Sequence, residues 1–149
     1  MQHQRFLPGG PGQLLLVEDN AGDIRLVQEA FKEGRFPCKL HITRDGEQAM
    51  AFLHHEKPYY DSPRPTLILL DLNLPRKDGR EVLAEIKQEK SLRRIPVMIM
   101  STSTRSEDID KAYDLHANCH IPKPVDLEGI VELGKLIERF WLTAAALAL

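Results

Sequence analysis

Apolar residues come in five short runs along the chain, and between the runs they recur at helical spacing. Gln13 to Val17 is the first run, and it stops abruptly at Glu18-Asp19-Asn20. Ile24, Leu26, Val27, Ala30 and Phe31 then lie on one helical face, with Gly34 closing the helix. Leu40-His41-Ile42-Thr43 predicts a second strand, and Asp45-Gly46 turns it into a helix over Glu47 to His55. A loop from Glu56 to Pro65 with three prolines leads into Leu67-Ile68-Leu69-Leu70, which reads as a fully buried strand. That strand ends in a carboxylate. Asp71 has no place inside so apolar a run, so it belongs where the strand emerges into a crevice.

Pro75 and Asp78-Gly79 make the next turn, and Val82, Leu83 and Ile86 mark a helix from Arg80. Ile95 to Met100 is another buried strand, running into Ser101-Thr102-Ser103-Thr104. Ser106 heads a helix with Glu107 and Asp108 in its first turn, where the helix dipole favours acids. Cys119-His120-Ile121 is a brief fifth strand before Pro122-Lys123-Pro124, and the last helix runs from about Asp126 to Trp141. Five strand–helix alternations predict a doubly wound α/β domain with a parallel five-stranded sheet. Ligands in such sheets bind beyond the carboxyl ends of the strands, and Glu18, Asp19, Asp71, Ser101 and Lys123 all lie there.

Three carboxylates at one crevice need a cation to stay ionised together. An oxygen-preferring Mg2+ (or Mn2+) suits them, with Asp19 and Asp71 as direct ligands and Glu18 acting partly through water. The backbone carbonyl of Asn73 is a further donor. With Lys123 the formal charge of that set is zero, which suits Asp71 as a nucleophile that forms an acyl phosphate.

Composition narrows the picture without changing it. The 149 residues suffice for one domain with a proper core, and a net charge of −2 provides no field for nucleic acid or an anionic membrane. Residues 1–12 read as a flexible tail rather than a signal peptide, 13–142 as the domain, and 143–149 as an apolar tail too short to span a bilayer. A cytoplasmic location is expected.

Taken together, Glu18-Asp19-Asn20, Thr43-x-x-Gly46-Glu47-x-Ala49, Asp71-x-x-x-Pro75-x-x-x-Gly79, Pro96 to Ser101 and Lys123-Pro124 resemble the receiver domain of two-component response regulators. The resemblance covers about residues 13 to 140. It implies a flavodoxin-like (βα)5 fold with strand order 2-1-3-4-5, and a chain that catalyses only its own Mg-dependent phosphorylation. It also implies roles: Asp71 accepts a phosphoryl group from a sensor histidine kinase, and Glu18, Asp19 and the Asn73 carbonyl hold Mg2+. Lys123 pairs with the phosphoryl group and Ser101 hydrogen-bonds it. In that strand order Cys38 and Cys119 lie on opposite edges, roughly 19 Å apart, so they are expected as two free, packing thiols. The loop Lys57 to Pro65, the Ser101-Thr102-Ser103 run and the ending Ile137 to Leu142 look like the small, single-domain regulators of cyanobacterial phytochromes, which implies a light-sensing kinase as partner.

One position departs from the family. His120 stands where an aromatic usually swings inward with the hydroxyl residue. It either makes the same swing, adding pH sensitivity, or faces solvent or a partner at the sheet edge. Two rivals fail on single residues. A phosphatase with an Asp nucleophile needs a second Asp where Asn73 stands, and a flavin-binding relative needs a hydroxyl- and glycine-rich loop where Glu18-Asp19 stand. A pseudo-receiver, an unphosphorylated binding module, is the alternative. His54 and His55 read as solvated. With one helix after the fifth strand, no DNA-binding output domain is expected, and the signal must leave through a surface to an unidentified target. The last helix carries Ile130, Leu133, Ile137, Phe140 and Trp141, more apolar surface than one sheet face needs, which predicts a homodimer through the last strand and helix.

Overall fold

The computed structural model describes residues 12–36 and 38–141. The sheet is five-stranded and parallel in the order β2-β1-β3-β4-β5, built from β1 (Gly12–Val17), β2 (Cys38–Thr43), β3 (Leu67–Leu70), β4 (Val97–Ser101) and β5 (Cys119–Pro122). Between and after the strands come α1 (Ala21–Gly34), α2 (Gly46–Leu53), α3 (Gly79–Gln88), α4 (Ser106–Asp114) and α5 (Leu127–Arg139). Gly12, assigned to the tail by its sequence, already pairs with Cys38. The rest of the expected tails, residues 1–11 and 143–149, lie outside the described residues. No helix among the described residues is long and apolar enough to cross a membrane.

The strands are apolar throughout because both sheet faces are covered, and successive residues point to opposite faces. Leu15, Val17, Ile68, Leu70, Val97 and Ile99 face a core closed by residues of α2, α3 and α4. Leu14, Leu16, Leu67, Leu69, Met98 and Met100 face a second core with α1 and α5. Cys38 and Cys119 are free and half-buried on the two edge strands. Burial and the charge of Glu138 push the Cys38 thiol up to about 11, so it is inert packing.

Four helices start at a carboxylate or amide cap: Asn20, Asp45, Asp78 and Asp126 each accept a backbone N–H of the first turn. The expected Ser106 cap is not used. Arg105 occupies the cap position of α4 without a side-chain bond. Gly34 does not supply the left-handed end of α1 either, because Arg35 adopts it at φ 52°. Gly34 and Gly134 instead leave room for the Phe36 ring, which a Cβ on either would overlap.

Two surface expectations need correction. Ile130, Leu133 and Ile137 are buried in the chain's own second core, so they are not available to a partner. The large apolar side chains left outside are Leu136 on α5 at 63% and Phe140 at its C-cap at 58% exposure, with Trp141 half-buried against that core. His54 is not freely solvated: it is half-buried and its Nε2 lies 2.9 Å from Glu89 at the end of α3.

Candidate functional site

The sheet itself positions the candidate residues. Past the last regular strand residues the ladder continues: Glu18 N–H donates to Thr43 O at 3.0 Å, Asp71 N–H to Val17 O at 3.0 Å, and Lys123 N–H to Ser101 O at 2.9 Å. Three side chains with chemistry therefore leave from backbone as rigid as the sheet. Gly79 completes the floor, since a Cβ there would stand 2.3 Å from Asp71 O, and only glycine lets α3 begin against that strand end.

Glu18, Asp19 and Asp71 each present an oxygen within 4.8 Å of the others. Glu18 is fully buried and Asp71 is 5% exposed, while Asp19 faces solvent. Asp71 Oδ1 accepts the Asn73 N–H at 3.1 Å, which orients the carboxylate and leaves Oδ2 facing Lys123 Nζ at 3.4 Å. Ser101 is buried, and its Oγ accepts the Ser103 N–H at 3.1 Å.

Lys123 is the hub. Its Nζ lies 2.7 Å from Glu18 Oε2 and 2.7 Å from Asp23 Oδ2, both closer than Asp71. Burial alone would lower the lysine pKa, but contacts with Asp23 and Glu18 and the charge of Asp71 outweigh it and raise it. Glu18 moves the other way for an acid, up to about 7, through burial first and the Asp71 charge next, against the pull of Lys123 and the Asn20 N–H. Its buried Oε2 faces the Lys123 ammonium at 2.7 Å. Glu18, Asp23 and Asp71 share the one ammonium, and Glu18, Asp19 and Asp71 form an all-oxygen set that fits a hard divalent cation.

Asp23 was not found from the sequence. An acid three residues after an N-cap is ordinary in a first turn, and nothing local announces a lysine from another strand. A second group was also missed: Ser103 Oγ donates to Asp108 Oδ2 at 2.6 Å, and Arg80 donates to Oδ1 at 3.4 Å. This joins the loop after β4 to α4 and α3. His120 lies on β5 beside α4. It is half-buried, its N–H donates to the Tyr113 hydroxyl on α4 at 3.1 Å, and its buried Nε2 has no partner among the described residues. Burial lowers its pKa against the opposing charge of Asp108.

Residues 14–135 match the response regulator receiver domain. The chain belongs to that family. This receiver domain is 51% identical over 137 residues to the response regulator Rcp1 of Synechocystis sp., covering 92% of this chain and 93% of that protein. Among solved structures it resembles the phosphorylated cyanobacterial phytochrome response regulator RcpA, with a TM-score of 0.87 and 51% identity. That likeness covers 94% of this chain and all of the other. The Mn2+-bound form of Rcp1 matches with a TM-score of 0.84 and 50% identity, over 93% of this chain and 100% of that one. The receiver fold and its strand order are those expected from the motifs.

Proposed function

We propose that this receiver domain is a response regulator that accepts a phosphoryl group on Asp71 from a sensor histidine kinase of the phytochrome type. The supporting observation is the state of Asp71: buried, oriented through Oδ1 by the Asn73 amide, and with Oδ2 turned to a lysine shared among acids. The resemblance to phytochrome-linked RcpA and to Rcp1 supports the choice of kinase.

In this reading Asp71 Oδ2 attacks phosphorus, the P–N bond of a kinase phosphohistidine breaks, and the imidazole leaves with a proton from solvent. Glu18, Asp19, Asp71 and the Asn73 carbonyl would hold Mg2+ or Mn2+, which supplies charge neutralisation for the transferring group. Lys123 swings its ammonium to the phosphoryl oxygens, and the Ser101 hydroxyl turns its proton to them. Asn73, lacking an acid function, leaves the acyl phosphate without a general acid beside it, so the product persists as a signal. Apart from this self-phosphorylation the domain catalyses nothing. It acts in the cytoplasm through protein contacts, with Leu136 on α5 and Phe140 at its C-cap as the exposed apolar pair for a second copy.

The test is intact mass after incubation with Mg2+ and a small acyl phosphate. One phosphoryl adduct is expected, lost in Asp71→Asn and on chelation. An unmodified chain that still binds Mg2+ would instead make it a pseudo-receiver. For the dimer, Leu136→Glu should sediment as a monomer at concentrations where wild type is dimeric, and unchanged sedimentation would move the interface elsewhere.

A further inference from the structure

One carboxylate at the pocket has no part in that scheme. Asp23 lies in the first turn of α1, with Oδ2 2.7 Å from Lys123 Nζ, while Asp71 Oδ2 is 3.4 Å away. Its place is set by two bonds: Glu18 Oε1 accepts the Asn20 N–H at 3.1 Å, and Asn20 Oδ1 accepts the Asp23 N–H at 3.0 Å. The segment between the buried glutamate and the helix is thereby pinned. The helix dipole favours any acid in a first turn, but that does not bring it against a lysine whose side chain is 9% exposed. A partly desolvated pair of this kind is less screened than a surface ion pair.

We infer that Asp23 is a positioning residue that holds Lys123 back from Asp71 until a phosphoryl group competes for it; this rests on reading Asp71 as the phosphoryl acceptor. The two short contacts of the ammonium are to Glu18 and Asp23, and the long one is to the acceptor. Glu18, Asp19 and Asp71 are also the acids suited to a cation. Asp23 stands apart from that cluster, so its charge remains directed at Lys123. A phosphoryl group arriving on Asp71 Oδ2 must draw the ammonium away from Asp23, and the Asp23 anion also repels it. The restraint therefore weakens capture of the donor group more than it alters the bond-making step.

Asp23→Asn keeps the shape and the backbone cap while removing the charge. The half-saturating acyl-phosphate concentration should fall about fivefold, with the maximal rate within about twofold, and Asp23→Glu should return toward wild type. In protein without donor or metal, the Lys123 Cε–Hε signals, assigned by their loss in Lys123→Arg, should shift in Asp23→Asn and much less in Asp23→Glu. An Asp23→Asn protein with the wild-type half-saturation, or with an unmoved Lys123 signal, overturns the inference. If wild type takes up no phosphoryl group at all, the reading of Asp71 fails by itself. The Lys123 signal then decides on Asp23: a shift supports the restraint, and none removes it.

Discussion

Two half-buried lysines close opposite ends of this sheet, and they are held in opposite ways. At the amino ends of the strands, Lys87 of α3 donates to Ile95 O at 2.9 Å, Arg93 O at 3.2 Å and Asn118 Oδ1 at 3.0 Å. Asn118 Oδ1 also accepts the Val97 N–H at 2.8 Å, so the lysine secures the start of β4. At the carboxyl ends, Lys123 meets three carboxylates. Burial lowers the pKa of Lys87, whereas the acids raise that of Lys123 despite burial. Neutral carbonyls satisfy an ammonium's protons without answering its charge, and the result is a structural tie. Carboxylates in excess of the ammonium leave net negative charge, and the result is a pocket that favours a cation.

Breaking each lysine separates the two roles most strongly. Lys123→Met should slow phosphorylation of Asp71 by an acyl phosphate about a hundredfold, the scale of losing one charge-stabilising donor at a reacting group. Lys87→Met should leave that rate within about twofold. Equal losses in the two variants would erase the contrast. In urea titrations Lys87→Met should cost about 2 kcal/mol of stability, because the carbonyls it served lose a charged donor.

A smaller effect sharpens the acidic end. The Glu18 pKa in the folded chain, about 7, lies above its ordinary value of 4.5. Between those values the folded protein keeps a proton that the unfolded chain has released, so without metal, stability falls as pH rises through that window. Mg2+ competes for the same oxygens. It should therefore raise the melting temperature by several degrees at pH 8 and hardly at all at pH 5. Equal shifts at both values would mean that Glu18 is not part of the cation set. The smallest effect is an order of titration. Followed by the side-chain NMR signals of the two lysines in metal-free protein, Lys87 should lose its proton before Lys123. Stability tied to the raised Lys123 is complete below 10.5 and is lost above its folded value, whereas the cost of keeping Lys87 charged disappears as pH approaches 10.5 from below.

The acidic end was more legible in the sequence than the basic tie. Glu18-Asp19 and Asp71 each follow directly on an apolar run as carboxylates, so their positions at the strand ends followed from hydrophobic pattern alone. Lys123 followed from its place after the fifth strand. Lys87 sits near the end of an ordinary amphipathic helix, and nothing in its neighbourhood shows that Ile95 and Asn118 supply its partners. Asp23 and Asp108 were equally hidden, because first-turn acids are common and their partners come from other elements. The stripe of α5 was visible, but not its depth: Ile130, Leu133 and Ile137 went into the core and left Leu136 and Phe140 outside.

The sequence by itself determined the alternation of elements, the two-sided burial of the sheet and the strand ends where chemistry collects. Hydrophobic periodicity, caps and turns act over a few residues, and a charge at the end of an apolar strand is a local signal. Tertiary structure decided which acids share Lys123, which lysine meets carbonyls and which meets carboxylates, and how much of the last helix faces outward. Those outcomes depend on distances between strands and helices far apart in the chain, and on local dielectric, which the packed fold alone creates.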